Sequence, residues 1–404
     1  MRRPSATFRA VAAALVCTAQ GLLPVSMLGG LAVQIQRELA LDEQGLGAAV
    51  TVFFAVSAVG SAPAGRLLQR IGPYPGMAAT AALSAVALVG IATAATSWTV
   101  LVGFLIVAGM GNAIAQPAAN LLLASGVPHA RQGLLFGIKQ AAVPVTTLLA
   151  GLSVPALGLT VGWRWAFVLA VAGSAALPLL APRRAKVPRA RDEVVAPPTV
   201  DRWPLVVVAG AGFLGAAAVN AMAVFLVASA VATGIAPSAA GLLLAFGSVL
   251  GITTRVAMGW AADRRDGRHL RVVSQLLVAG AVGFTLLALG TPAALYVVGT
   301  VVAFGAGWGW NGLFTFAVVR SYPAAAATAT GITQTGLWLG GMVGPLAFGV
   351  IASRASFAAA WLAGAVVMVL AAGTCLVGRH LIMRARTRRA EPAERALEGG
   401  IGDG

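Results

Sequence analysis

Charge is scarce in this 404-residue sequence. Asp, Glu, Lys and Arg together make up 10% of it, against 59% apolar residues. A soluble chain of this length carries about 25% charge, and 10% cannot cover that much water-facing surface, so a soluble enzyme is excluded first. Cysteine is nearly absent. Cys17 and Cys375 lie in the first and last apolar runs, which excludes a disulfide framework and a cysteine metal site. Lysine is reduced to Lys139 and Lys186, and histidine to His129, His269 and His380, all three at the ends of apolar runs or in loops. The twelve carboxylates (Glu38, Asp42, Glu43, Asp192, Glu193, Asp201, Asp263, Asp266, Glu391, Glu394, Glu398 and Asp403) all fall outside the apolar runs. With no acid or imidazole inside a run, there is nothing to build acid–base catalysis, metal ligation or an ordinary proton relay. The sequence therefore predicts no enzyme activity, no metal and no cofactor.

Long apolar runs are what the chain has instead. Twelve stretches can be counted, at about 10–33, 46–65, 76–96, 98–123, 134–157, 165–181, 204–231, 240–260, 272–290, 293–319, 328–352 and 357–378. Each is long enough to cross a hydrocarbon layer of about 30 Å as a helix. Helix is required because backbone polar groups in lipid must be satisfied within the segment. The 50 glycines suit packed membrane helices, where small residues let backbones approach. The basic start followed by an Ala-rich run imitates a signal peptide, but the run is long for one and eleven more follow. The expected class is an all-α membrane protein with twelve transmembrane helices.

The formal charge is +16. The basic residues sit in short clusters between apolar runs, so the expected partner is the anionic inner leaflet of a bilayer rather than nucleic acid. With the N-terminus inside, inner segments hold 23 basic residues and outer segments three, Arg37, Arg164 and Arg354. That asymmetry places both termini in the cytoplasm of a multi-pass plasma-membrane protein. The remaining two, Lys139 and Arg255, fall within spans.

The loop 182–203 is rich in proline and charge and reads as a cytoplasmic linker between two six-span halves, 1–181 and 204–380. The tail 381–404 is basic, then Gly-rich, and is expected to be disordered. The halves repeat at an offset of 194: Gly47 with Gly241, Gly65 with Gly259, Arg70 with Arg264, and Gly137-Ile138-Lys139-Gln140 with Gly331-Ile332-Thr333-Gln334. Six spans per half give both halves the same orientation, a parallel repeat with a site expected near the midplane between them.

Side-chain amides mark that site. Within spans they are Gln20, Asn112, Gln116, Asn120, Gln140, Asn220, Asn311 and Gln334, in spans 1, 4, 5, 7, 10 and 11, with Gln275 about one turn from the inner end of span 9. An amide facing lipid is costly, so these helices face protein or water; hydrogen bonding between helices and the lining of a cavity are both open. Asn112, Gln116 and Asn120 are spaced i, i+4, i+8 and form one polar stripe. At the repeat positions span 10 offers Trp308 and Trp310. A cavity polar on one side and aromatic on the other suits an amphiphilic organic solute. The expected substrate-binding set is Gln20, Asn112, Gln116, Lys139, Gln140, Asn220, Trp308, Asn311 and Gln334. Lys139 either snorkels to the inner surface, pairs with Asp263, or attracts an anionic solute.

The chain resembles the major facilitator superfamily over about residues 8–380. The carrying motif is Gly259-Trp-Ala-Ala-Asp263-Arg264-Arg265-Asp266-Gly267-Arg268 after span 8, with a degenerate copy, Gly65-Arg-Leu-Leu-Gln69-Arg70-Ile-Gly72-Pro73, after span 2. The resemblance implies two six-helix bundles, with helices 1, 4, 7 and 10 around a central cavity and helices 3, 6, 9 and 12 outside. It also implies a gate formed by Gly65, Arg70, Gly259, Asp263, Arg264 and Arg268, with Asp263 docking beside Arg131 at the start of span 5. Two departures bear on substrate. Leu105 stands where proton-coupled members commonly carry arginine, and Val143-Pro144-Val145-Thr146-Thr147 replaces the helix 5 element of drug–proton antiporters. The resulting expectation is a monomeric secondary transporter that moves a small organic solute, anionic or amphiphilic, by alternating access. The alternative is an efflux pump for a hydrophobic drug or secondary metabolite. A sensor built on the same bundle would need a folded soluble domain, for which neither linker nor tail has the length.

Overall fold

The computed structural model describes residues 6–126, 138–180, 202–262, 269–322 and 326–399. The described residues are almost wholly helical. The spanning helices are α1 (Ala6–Gly30), α2 (Glu43–Ile71), α3 (Pro73–Ala94), α4 (Trp98–Gly126), α5 (Ala142–Ser153, continued as a π-helix over Val154–Gly162) and α6 (Trp163–Leu180). They continue with α7 (Arg202–Ala232), α8 (Pro237–Ala262), α9 (His269–Leu289), α10 (Ala293–Ser321), α11 (Ala326–Arg354) and α12 (Phe357–Gly399). Successive helices reverse direction. The bundle therefore has a near end, where α1 begins and α7 begins, and a far end, which carries the α1–α2 connection.

The chain from Ile138 to Leu180 is helical over 43 residues but for a turn at Ala141. Straight, it would be about 65 Å long, twice a bilayer core. It folds back at Gly162, whose φ of 103° is open to glycine and strained for other residues. The two spans expected at 134–157 and 165–181 are thus present, joined by a single-residue reversal in place of the loop the gap implied. α10 is also interrupted: an α-helical piece (Ala293–Val302) passes through a π-helical turn (Ala303–Gly307) and restarts at Trp310. Two further boundaries differ from expectation. A short helix, Ala32–Leu39, follows α1. The backbone of α12 runs on to Gly399, so residues 381–399, expected to be disordered, continue the last helix. Their Arg, Ala and Glu content is that of good helix formers, and extending an existing helix avoids the cost of nucleation.

The helix pairings repeat between halves. α1 packs on α5 as α7 packs on α11, α3 on α6 as α9 on α12, and α3 on α4 as α9 on α10. The α7–α11 pair is the most extensive, and glycine explains it. Gly336, Gly340 and Gly344 repeat every four residues along α11, and a Cβ at any of them would collide with the backbone carbonyls of Ala209, Phe213 and Ala217 in α7. Such small-residue stripes let membrane helices gain dispersion contact where no hydrophobic driving force exists.

The halves meet chiefly through α2–α11 and α5–α8, again on glycine. A Cβ on Gly151 of α5 would lie 2.6 Å from the carbonyl oxygen of Gly241 in α8. One on Gly47 would strike the Pro345 carbonyl of α11, and one on Gly29 would lie 2.9 Å from the Val224 Cα. All three contacts lie toward the far end, which is therefore closed. At the same end Glu38 accepts hydrogen bonds from Trp163 Nε1 and Arg164, both at 2.6 Å, while Arg164 also donates to the carbonyls of Ile91, Ala92 and Ala95 at the close of α3.

Candidate functional site

Between the halves lies a cavity of about 40 Å³, lined by Leu22, Val25 and Ser26 of α1, Phe54 of α2, Val143 and Thr147 of α5, Asn220, Ala223 and Val224 of α7, and Trp308 of α10. Both halves contribute walls. The volume holds a few water molecules and no organic solute, so the site is collapsed in this conformation. Asn220 and Trp308, both expected here, do line it. Asn220 Nδ2 donates back to the Ala216 carbonyl at 2.8 Å. Ser26, Thr147 and Phe54 were missed from sequence, since a single hydroxyl or ring in an apolar run carries no signal.

The other amides have different employment. Gln20, expected in the cavity, is buried against α6, where its Nε2 donates to Ser174 Oγ at 2.6 Å and to the Ala170 carbonyl at 3.2 Å. It thus ties helices within one half. Asn112 is buried and donates to Ser57 Oγ of α2 at 3.1 Å, while its Oδ1 has no partner among the described residues. Asn311 and Gln334 are half-buried in α10 and α11, outside the cavity lining.

The rest of the α4 stripe holds Lys139. The Lys139 side chain is 3% exposed, and its Nζ donates to Gln116 Oε1 at 2.5 Å and to Asn120 Oδ1 at 3.0 Å. An ammonium has three donors, and the third finds no acceptor among the described residues. The shallow position therefore does not lead to a snorkelling side chain, because two amides one turn apart give the charge a buried alternative. The pairing with Asp263 falls outside the described residues.

A second cation approaches the same turn of α5 from the other half. Arg255 of α8 stacks over the Trp308 ring, 5.2 Å to the centroid, a cation–π distance. Its Nε donates to the Trp308 carbonyl at 3.4 Å, and its NH1 crosses to the carbonyl of Gln140 at 3.3 Å. That carbonyl is free for a local reason. The residue four positions on is Pro144, which has no N–H to donate back to it. Gln140 lies one turn ahead of the cavity-lining Val143 and Thr147 on the same helical face, so Arg255 meets the chain on the near side of the cavity. The sequence showed Arg255 as a charge within a span. What it lacked was the partner, 115 residues away. Among the described residues the one salt bridge is Arg164–Glu38 at the far end, so neither Lys139 nor Arg255 is neutralised by a described acid.

Of the expected gate, Gly65 and Arg70 lie on the last two turns of α2, with Arg70 exposed, and Gly259 lies on the last turn of α8. Asp263, Arg264, Arg268 and Arg131 lie outside the described residues. Among the described residues no group of three His, Cys, Asp or Glu side chains could hold a metal ion.

The family model of the Major Facilitator Superfamily matches residues 14–209 and again 208–400, so both halves carry it. No curated protein sequence matches the chain. Among solved structures it is similar to a bacterial homologue of the human lysosomal transporter Spinster in an inward-facing, unoccupied conformation. There the TM-score is 0.73 at 14% identity, over 95% of this chain and 99% of that one. The same homologue in an inward-facing, occupied conformation gives 0.67 at 17% identity, over 93% and 96%. A variant of the nucleoside transporter NupG gives 0.69 at 15% identity, over 94% and 99%.

Proposed function

Because this chain belongs to the major facilitator superfamily, we propose that it is a secondary transporter that carries a small anionic or amphiphilic organic solute across the plasma membrane by alternating access. The halves rock about the cavity between them, and the chain performs no covalent chemistry. The observation that carries the reading is the pair of basic side chains within the spans. Lys139, just ahead of α5, binds α4, and Arg255 reaches the neighbouring Gln140 carbonyl from the other half; neither has a described acid partner. A buried cation without a counter-ion is expensive, and an anionic solute supplies the missing charge.

The 23-to-three distribution of basic residues puts the near end, both termini and the 182–203 linker in the cytoplasm. The closed far end is then the outer end, and the Arg255–Gln140 contact lies on the cytoplasmic side of the cavity. The protein works as a monomer in a bilayer whose inner leaflet is anionic. By the family resemblance, Asp263 latches the cytoplasmic side. Gln69 carries no charge at the corresponding position, so the latch is one-sided.

The test is uptake into proteoliposomes, with and without a pH gradient, of solutes first selected by thermal stabilisation of the purified protein. Lys139→Gln should weaken transport of an anion and spare its neutral analogue, and Lys139→Arg should retain part of the activity. Equal loss for both solutes would remove the electrostatic role. A second reading, efflux of a hydrophobic drug, is favoured by the mostly apolar cavity wall with Phe54 and Trp308. Transport of uncharged lipophilic compounds in preference to carboxylates would select it.

A further inference from the structure

We propose that Arg255 is the residue that receives the anionic group of the solute, and that it does so by giving up the Gln140 carbonyl in exchange for a carboxylate. The inference rests on the transporter reading and adds to it the acceptor residue, the ligand's chemical class and the way binding is coupled to opening.

Among the described residues, Thr51 and Arg255 each send a side-chain hydrogen bond across to the other half. Thr51 Oγ1 donates to the Met342 carbonyl at 2.7 Å within the closed far half. Arg255 donates to the Gln140 carbonyl at 3.3 Å on the near side of the cavity. The second is long for an N–H···O bond, and its acceptor is a neutral oxygen left over by Pro144. A carboxylate is a better partner for a guanidinium, because both groups are charged and two parallel N–H···O bonds can form at about 2.7–2.9 Å. An arriving carboxylate therefore displaces the carbonyl. Once it does, α8 and α5 lose their polar link on that side, and the cavity opens toward the near end.

The surroundings select the rest of the ligand. The Trp308 ring holds the guanidinium from beneath and forms a cavity wall together with Leu22, Val25, Phe54 and Val143. A solute with one carboxylate and a compact apolar or aromatic body matches this: the head on Arg255, the body against Trp308 and Phe54. The repeat equivalent of Arg255 is Ser61, half-buried and bonded to its own helix at the Ser57 carbonyl. The first half therefore has no counterpart, and the site is single.

The experiment uses the full-length protein in lipid nanodiscs, with Val143→Cys as a reporter inside the cavity; the native Cys17 and Cys375 are buried. The readout is the rate of labelling by an impermeant maleimide, with benzoate and its neutral isostere benzamide as probes. Benzoate should raise the rate about fivefold, the factor that one net hydrogen bond of ordinary strength is worth, and benzamide should leave it unchanged. Arg255→Gln should label fast without benzoate and no longer respond to it. Pro144→Ala restores an N–H to the Gln140 carbonyl and should also raise the basal rate, which keeps the test decisive if Arg255→Gln folds poorly. A parent protein indifferent to benzoate, a benzoate response that survives in Arg255→Gln, or a Pro144→Ala rate equal to the parent's would each overturn the exchange. Vesicle uptake of radiolabelled benzoate separates the two levels. A labelling response without uptake keeps the exchange and removes the transport reading. Uptake that persists in Arg255→Gln keeps transport and removes the exchange.

Discussion

Gly151→Ala should prise the far end of the molecule open. The new Cβ would lie 2.6 Å from the Gly241 carbonyl oxygen and 2.7 Å from the Ala245 nitrogen. The first is some 0.8 Å short of the 3.4 Å at which ordinary contact begins. Both opposing atoms belong to the backbone of α8, so no side chain can swing aside and the halves themselves must separate. Overpacking a close contact costs about 1–3 kcal/mol. At about 1.4 kcal/mol per factor of ten, the ratio of closed to open far ends should fall roughly 5- to 150-fold. The assay is a spin-label distance between Thr160→Cys, near the end of the π-helical continuation of α5, and Ala236→Cys, just ahead of α8, two exposed positions on opposite halves. The variant should show a second, longer distance population. Gly344→Ala is the control. Its Cβ would strike the Ala217 carbonyl inside one half, so it should lower Tm and leave the distance unchanged. A distribution for Gly151→Ala identical to the parent's would refute the reasoning, whatever happens to its Tm.

Topology follows from the basic residues: cysteines at Ala190 or Arg395 should resist an impermeant reagent applied to whole cells, and efficient labelling at either would reverse the assigned orientation. At the far end, Arg164→Ala should lower Tm more than Glu38→Gln. The arginine serves three carbonyls closing α3 as well as the acid, whereas the exposed ion pair itself is worth about 1 kcal/mol at most; the reverse order in a thermal melt would count against the capping role. Asn112→Ala removes the bond to Ser57 and should cost about 1 kcal/mol while expression stays near normal. A loss of folded protein would mean that the unpartnered Oδ1 is held by something more.

Much of this molecule is written in one dimension. Where helices must run is settled by length and hydropathy alone, because lipid leaves the backbone no other means of satisfying its polar groups. The twofold repeat shows in the spacing of Gly47, Gly65 and Lys139 from Gly241, Gly259 and Thr333. The Asn112–Gln116–Asn120 stripe is equally local, since a period near 3.6 puts those residues on one face. What the stripe faces is a tertiary matter. Gln20 and Gln116 are the same kind of residue in the same kind of run, yet one binds α6 and the other holds Lys139, because helix rotation and neighbour are set by packing across the whole bundle. Pro144, four residues after Gln140, leaves that carbonyl without its helical donor for a purely local reason. That Arg255, 115 residues on, is the group that comes to it depends on how the two halves meet, and that is decided by glycines whose only message in the sequence is that something may come close.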